Sequence, residues 1–273
     1  MKDQLHWAAH IMRNSPVLAL QAGKVAIASR TFSPPVRKQI LVGTHHKALT
    51  VFISRVFRAF ASVTGRSWDI SNGKKLNYSR TVLIDHQSWF DFDRVEQDYF
   101  GLHIIRDPRD LLVSSAHYHT RSDEKWLHRP MEKFGGKTYA EAIAELPSLE
   151  ERMLFELRNS TGRTIRGMLD WDYHRPGFVE MRYDQLIGKG AVERFRQAIE
   201  AWPVSQGEKE LLAGLFRYFS LGEPGTRQSK HIRNPKSGQW EEHFTPRVRS
   251  AFDAAFPKAI ARLGFDKPSD GAW

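Results

Sequence analysis

The chain has 273 residues, which is enough for one large α/β domain or for one domain with an appendage. It contains no cysteine, so disulfide bonds, thiolate metal sites and cysteine nucleophiles are excluded. The net charge of +10 favours anionic partners such as nucleotides or acidic polysaccharides. The basic residues are scattered, however, and form no run of the length typical of nucleic-acid-binding arms.

The chain begins with an N-terminal extension, residues 1–38, which we predict to be helical and amphipathic. Its apolar stretch at residues 16–28 is interrupted by polar residues and lacks the order of regions found in a signal peptide. No stretch of the sequence is long and apolar enough to cross a bilayer. We therefore expect a cytoplasmic chain without a transmembrane segment.

The following stretch predicts a buried strand, a turn and an amphipathic helix. Residues 39–44 are mostly aliphatic, as in a central strand of a parallel sheet, and the apolar residues of 49–60 recur with helical spacing. The turn between them carries Lys47 and Thr50 at a helix N-terminus, where free N–H groups and the helix dipole favour an anion. The spacing of a Walker A loop is absent, and an ordinary strand-to-helix turn is the alternative.

Further strands are predicted at residues 67–70, 81–84 and 101–105. The strand at 81–84 leads directly into Asp85 and His86. Because ligands bind beyond the carboxyl ends of strands in open α/β sheets, we regard these polar residues as candidates for a functional site.

A second candidate anion site follows the strand at 101–105. Pro108 predicts the first turn of a helix, and Asp107 is its expected N-cap. Arg106 and Ser114 flank the start of this helix, eight positions apart. Together they offer a guanidinium and a hydroxyl to an anion. The alternative is that Arg106 simply pairs with Asp107 or Asp110.

The remainder of the chain predicts helices, one more strand and two long loops. The strand lies at 177–183, and the loops lie at 121–137 and 221–239. We predict helices at residues 138–146, 149–173, 191–202, 208–219 and 247–262.

Four separated segments resemble the sulfotransferases that use 3'-phosphoadenosine 5'-phosphosulfate (PAPS). The turn around Lys47 is similar to the 5'-phosphosulfate loop of that family, and the segment from Arg106 to Ser114 is similar to its 3'-phosphate segment. Residues 181–186 resemble the strand end whose tyrosine lies by the adenine, and residues 231–245 resemble the late loop that closes on the nucleotide.

The resemblance implies a P-loop NTPase-like central parallel sheet flanked by helices on both faces, with residues 39–265 as the sulfotransferase domain and 266–273 as a polar tail. It implies transfer of a sulfuryl group from PAPS to a hydroxyl or amine, leaving adenosine 3',5'-bisphosphate (PAP), without a metal. The expected acceptor is a small alcohol or a saccharide rather than a nucleic acid. A homodimer is compatible with this interpretation.

The resemblance also implies a role for each matching residue. Lys47 would contact the bridging oxygen of the phosphosulfate and favour departure of the nucleotide. Arg106, Ser114 and Arg233 would hold the 3'-phosphate. The full set of implied nucleotide-binding residues is Lys47, Ala48, Leu49, Thr50, Val51, Arg106, Ser114, Tyr183, Arg233 and Lys236, with Phe52 as a further neighbour of the adenine.

The acceptor hydroxyl needs a general base, and His86 is our candidate. It follows a strand and precedes Arg106 by about the separation of the family's catalytic histidine, and an imidazole titrates near neutrality. Asp85, Asp91 and Asp93 are the rival bases, and a histidine that only supports its loop is the non-catalytic alternative.

The sequence departs from the family pattern at several positions. The family's phosphosulfate loop usually has glycine where this chain has Leu49, which we place on the helix. Asn234 and Pro235 replace a lysine and a glycine of the late loop, where Lys236 is the nearest substitute for the lost charge. Two other functions therefore stay open: an inactive module of the same fold that binds nucleotides or polyanions, and a P-loop-like nucleotide kinase.

Overall fold

The structure is a computed structural model that describes residues 15, 16, 19, 20, 22–25, 38–71, 75–220 and 236–266. The chain divides into two compact units. We call Met1–Ile105 with Asp172–Gln228 the sheet unit, and Arg106–Trp171 with Ser229–Trp273 the helical unit.

The sheet unit is built on five parallel strands in the order β2-β3-β1-β4-β5. The central strand β1 is fully buried, as its run of aliphatic residues predicts. The strands are β1 (Gln39–Gly43), β2 (Trp68–Ser71), β3 (Val82–Asp85), β4 (Tyr99–Ile105) and β5 (Phe178–Arg182).

Three helices of the sheet unit pack around a common core. They are α1 (Thr50–Thr64), α6 (Ala191–Ala198) and α7 (Gln206–Phe219). Phe52 and Phe195 both pack against Phe216, with ring centroids 5.0 and 4.3 Å away. The sequence prediction of a central parallel sheet flanked by helices is confirmed.

The helical unit contains seven described helices. They are α2 (Pro108–Tyr118), α3 (Tyr139–Ala144), α4 (Leu149–Arg158), α5 (Ser160–Asp170), α8 (Trp240–His243), α9 (Pro246–Ala255) and α10 (Ala259–Arg262). A satellite core of Leu127, Tyr139 and Ile143 lies within this unit.

Two helices that the sequence predicted as continuous are broken. The predicted helix 149–173 is interrupted at Asn159, whose φ of −122° and ψ of −115° lie outside the helical region. The predicted helix 247–262 ends before Pro257, and Lys258 then adopts a left-handed φ of 61°. Proline has no N–H to donate and disfavours a helical residue before it, so this break has a local cause.

The sheet edge formed by the carboxyl ends of the strands positions the candidate site. Gly43, the last residue of β1, lies opposite Asp85 of β3 and His103 of β4. Strands from later in the chain lie on both sides of β1, so the strand order reverses at β1. In open α/β sheets, ligands bind in the crevice at such a reversal.

Most of the predicted N-terminal extension lies outside the described residues, and so do residues 221–235, which include the beginning of the late loop. Within the residues that are described, no helix combines the length and apolar character that a membrane span requires.

Candidate functional site

Residues 44–49, which we call the Lys47 turn, connect β1 to α1. The N–H of Thr44 donates to the carbonyl of Asp85 over 3.0 Å, and the Ser88 hydroxyl donates to the carbonyl of Thr44 over 3.0 Å. A Cβ atom at Gly43 would lie 2.8 Å from that hydroxyl, so glycine permits the loop after β3 to approach β1. The start of the turn is therefore fixed by the neighbouring strand.

Two residues of the Lys47 turn have left-handed backbone angles, Lys47 with φ 65° and Leu49 with φ 64°. The prediction that Leu49 lies on the helix is wrong, because it is the N-cap and α1 begins at Thr50. The left-handed region is the one that glycine adopts without penalty. Leu49 therefore takes a backbone conformation that favours glycine.

The Lys47 turn fits an anion. No side chain caps the N-terminus of α1, and its first turn carries no acidic residue. The buried hydroxyl of Thr44 has no hydrogen-bond partner among the described residues and can donate to an anion. The N–H of Ala48 is already used, since it donates to the carbonyl of His45 over 2.8 Å. An uncapped helix N-terminus beside a lysine is a favourable place for a phosphate or sulfate group.

A chain of buried polar side chains runs from this turn to β4 and β5. Nε2 of His45 lies 2.9 Å from Nε2 of His103, and Nδ1 of His103 lies 2.5 Å from a carboxylate oxygen of Glu180. His103 on β4 is the direct register partner of Glu180 on β5. We call these three residues the histidine chain. Both histidines are completely buried, and the Glu180 side chain is 11% exposed.

The direction of the hydrogen bonds in the histidine chain follows from its chemistry. Burial lowers the pKa of His103 to about 3, and burial together with the neighbouring His103 lowers the pKa of His45 well below its usual range. Both rings are therefore neutral near pH 7. Because a carboxylate only accepts, His103 donates from Nδ1 to Glu180 and accepts at Nε2 from His45. Nδ1 of His45 is then an acceptor.

His86, the predicted general base, lies in the loop after β3. Its ring nitrogen Nε2 is 2.8 Å from the hydroxyl of Ser54, which lies on α1. The backbone N–H of His86 donates to the carbonyl of Ser71 over 2.9 Å. The ring is thus placed by a contact with the helix that follows the Lys47 turn.

The three aspartates that are the alternative candidates for the general base differ in burial. Oδ1 of Asp85 accepts from the N–H groups of Gln87 and Trp89 over 2.8 and 3.1 Å, so this buried carboxylate shapes the loop that carries His86. Asp91 and Asp93 are exposed.

In the helical unit, α2 begins as the sequence predicts. Asp107 is the N-cap and accepts from the N–H of Arg109 over 2.9 Å, and it also pairs with the Arg109 guanidinium at 2.6 Å. Arg106 is buried, with 4% of its surface exposed, and Ser114 is half-buried. Burial raises the pKa of Asp110, while the nearby Arg106 acts in the opposite direction.

Asp110 connects α2 to the end of the late loop. Its carboxylate accepts from the N–H of Gly238 over 2.8 Å and from the N–H of Trp240 over 3.0 Å. Lys236, just before these residues, is exposed. The predicted site residue Arg233 and its neighbours Asn234 and Pro235 lie outside the described residues.

Tyr183 follows β5 directly, in a short 3₁₀ turn at the carboxyl edge of the sheet, and is buried. Phe52 lies in the core against Phe216. Across the described residues, no group of three or more histidine, aspartate or glutamate side chains is arranged to hold a metal ion.

Sequence reasoning missed His103, Glu180, Ser54 and Asp110. A histidine within the apolar run of β4 and a glutamate within β5 were available signals, since a buried polar side chain in a strand needs a partner. Their pairing depends on the strand order, which the sequence did not provide.

Comparison with known proteins identifies the fold. No family model matches the chain, and no curated protein matches it. Among solved structures, the chain is similar to the crystal structure of mouse sulfotransferase SULT7A1 complexed with PAP, with a TM-score of 0.53 over 86% of this chain and 88% of that chain. The two sequences are 15% identical. The chain therefore shares the fold of that sulfotransferase, a P-loop NTPase-like α/β fold with a central parallel sheet.

Proposed function

We propose that this protein is a sulfotransferase that moves the sulfuryl group of PAPS to a hydroxyl or amine of a small-molecule or saccharide acceptor. The observation that carries the proposal is the Lys47 turn: an uncapped helix N-terminus, with a lysine and a left-handed N-cap, at the carboxyl end of the central strand. It stands on a fold that a PAP-bound sulfotransferase shares.

Within this proposal, Lys47 binds the bridging oxygen between phosphate and sulfate. Its ammonium group offsets the negative charge that grows on this oxygen as the bond to sulfur breaks. Thr50 and the N–H groups at the start of α1 bind the 5'-phosphate, where the helix dipole favours negative charge. The residues assigned to this end of the nucleotide are Lys47, Ala48, Leu49, Thr50 and Val51.

The other end of the nucleotide is assigned to Arg106 and Ser114, with Arg233 and Lys236 from the late loop. A guanidinium that is buried, as that of Arg106 is, forms stronger charge-assisted hydrogen bonds with phosphate than an exposed one. Tyr183 is assigned to the adenine.

His86 is the proposed general base. In this proposal the Ser54 hydroxyl accepts from Nε2–H, and Nδ1 takes the proton of the acceptor hydroxyl. Ser54 would then orient the base in the way that the third member of a catalytic triad orients its histidine.

Sulfate transfer from labelled PAPS to a panel of phenols, alcohols, amines and saccharides tests the function. Lys47→Ala should lower kcat by about a hundredfold or more, since one electrostatic contact to a leaving group is typically worth that much. The circular dichroism spectrum should not change, because the Lys47 side chain is partly exposed. His86→Ala should lower kcat by a similar factor.

The outcomes separate the alternatives. Transfer that survives in Lys47→Ala would contradict the assignment of the Lys47 turn. An unchanged rate in His86→Ala would remove His86 as the base and leave Asp91 and Asp93 to be tested. If the protein binds PAP but transfers sulfate to no acceptor, it is a nucleotide-binding module rather than an enzyme.

A further inference from the structure

The Lys47 turn is strained and must be held in place by its surroundings. Left-handed angles at Lys47 and Leu49 each cost about 1–2 kcal/mol for an L-residue with a side chain. Such angles persist only where neighbouring structure fixes them.

The backbone contacts of the turn hold mainly its first residue. Both the N–H and the carbonyl of Thr44 bond to the loop after β3. The N–H of Ala48 donates to the carbonyl of His45 within the turn, and the carbonyl of Leu49 accepts from the N–H of Ile53 in α1. Neither of these two bonds ties the turn to the sheet. The His45 ring ties the turn to another strand of the sheet, through its contact with His103.

The histidine chain has a defined direction because it ends on a carboxylate. Glu180 can only accept, so it fixes the proton on Nδ1 of His103, and this leaves Nε2 of His103 as the acceptor for His45. Without Glu180, Nδ1 of His103 loses its acceptor, and the ring can take the other tautomer or turn away, so that its bond to His45 is no longer fixed. The carboxylate therefore holds the His103 ring in the tautomer and orientation that bind His45.

We propose that Glu180 and His103 are positioning residues, which hold His45 and thereby keep the Lys47 turn in its anion-binding conformation. Glu180 acts from two strands away, across β4, and needs no contact with the anion. The effect on nucleotide affinity rests on the proposed function, whereas the effect on the conformation of the turn does not.

The test compares three variants by amide hydrogen exchange of the ligand-free protein and by calorimetric titration with PAP. Glu180→Ala removes the acceptor. Glu180→Gln keeps an acceptor oxygen of the same reach. Glu208→Ala is the matched control, because Glu208 is similarly buried in the same unit and pairs at 2.7 Å with Arg66, just beyond the other end of α1.

In Glu180→Ala, we expect exchange in a peptide covering residues 44–53 to be about tenfold faster, and PAP affinity to be about tenfold weaker, which corresponds to 1.4 kcal/mol. Glu180→Gln and Glu208→Ala should stay within about threefold of the wild type in both measurements. If Glu180→Ala does not fold, Glu180→Asp makes the same comparison, because it keeps the charge but withdraws the carboxylate by one methylene.

The proposal is overturned if Glu180→Ala, or Glu180→Asp in its place, exchanges no faster in this peptide than Glu208→Ala. An equal loss of affinity in Glu180→Ala and Glu208→Ala would also overturn it, since the effect would then be general destabilisation. If the wild-type protein binds no PAP, the proposed function fails, and the exchange measurement alone decides the role of Glu180.

Discussion

Leu49 shows how a side chain can be accommodated at a position that favours glycine. Its φ of 64° is unfavourable for leucine, yet its side chain packs against the core of the sheet unit. The left-handed angle costs about 1–2 kcal/mol. Burying part of a leucine side chain returns a similar amount, about 1–2 kcal/mol. The two terms nearly cancel, so the turn keeps its conformation without glycine.

The stability of Leu49 variants should therefore depend on how well the new residue adopts the left-handed backbone conformation, rather than on the size of its side chain. We expect Leu49→Gly to change the free energy of unfolding by less than about 1 kcal/mol, because relief of the left-handed angle offsets the lost packing. Leu49→Val keeps more apolar surface but is β-branched, and it should lower this free energy by about 1–2 kcal/mol. Urea denaturation measures both. A milder effect for valine than for glycine would contradict the account.

The buried histidines predict how stability depends on pH. In the unfolded chain a histidine titrates near pH 6.5, whereas the folded pKa of His103 is about 3 and that of His45 is also lowered. Below pH 6.5 the unfolded chain therefore binds more protons than the folded one. Stability is complete above this pH and is lost as the pH falls towards about 3.

Each neutral buried histidine should cost about 1 kcal/mol of stability per pH unit below 6.5. Urea denaturation of the wild type at about pH 7.5 and 5.5 measures the total change. His103→Gln removes one of the two buried histidines and should lower the number of protons taken up on unfolding by about one. The dependence of the free energy of unfolding on pH should then be less steep. An unchanged dependence in this variant would show that His103 is not a neutral buried group in the folded protein.

At the scale of elements, the junction between α4 and α5 depends on one close approach. A Cβ atom at Gly162 of α5 would lie 2.0 Å from the carbonyl oxygen of Leu157 in α4. Asn159 forms the break between the helices, and its side-chain amide donates to the carbonyl of Phe155 over 2.8 Å. Glycine is therefore required for these two helices to meet at this angle.

Gly162→Ala should lower the free energy of unfolding by about 1–3 kcal/mol or more, because backbone atoms must move to admit the methyl group. Gly207→Ala in α7 is the control. Its Cβ would meet only the end of the Val25 side chain at 3.3 Å, and alanine should gain up to about 1 kcal/mol from helix propensity. Thermal unfolding of both variants checks the prediction, and equal effects would refute it.

The sequence predicted the strands and most helices of this fold because their local signals agree with their environment. The aliphatic run of β1, the helical spacing of α1 and the Asp107 cap of α2 are all local, and all three elements are found where they were expected. Pro257 was also a local signal, which the prediction of one long helix overlooked.

The parts that the sequence did not predict depend on contacts between distant residues. The break at Asn159 requires the approach of α4 and α5, and the histidine chain requires β1, β4 and β5 to be neighbours. The candidate residues Lys47, His86, Arg106, Ser114 and Tyr183 could be named from motifs alone. The contacts around these residues, such as that of Ser54 with His86 and that of Asp110 with the late loop, could not be predicted from the sequence because they join distant parts of the chain.

For the whole molecule, the net charge of +10 makes weak binding of many anions an expected background. Specific recognition of PAP must therefore be distinguished from general attraction. In the proposed function, the two phosphorylated ends of the nucleotide depend on different segments, the Lys47 turn and the segment from Arg106 to Ser114. An anion held only by overall charge would not depend on either segment.

Calorimetric titration with PAP and with adenosine 5'-monophosphate, which lacks the 3'-phosphate, tests this central claim most directly. We predict that PAP binds roughly tenfold or more tightly than the monophosphate. Arg106→Gln should remove this difference in affinity. Arg217→Gln makes an equal change of charge at an exposed arginine of α7 and should preserve the difference. Equal affinities for the two nucleotides, or equal effects of the two substitutions, would contradict the account.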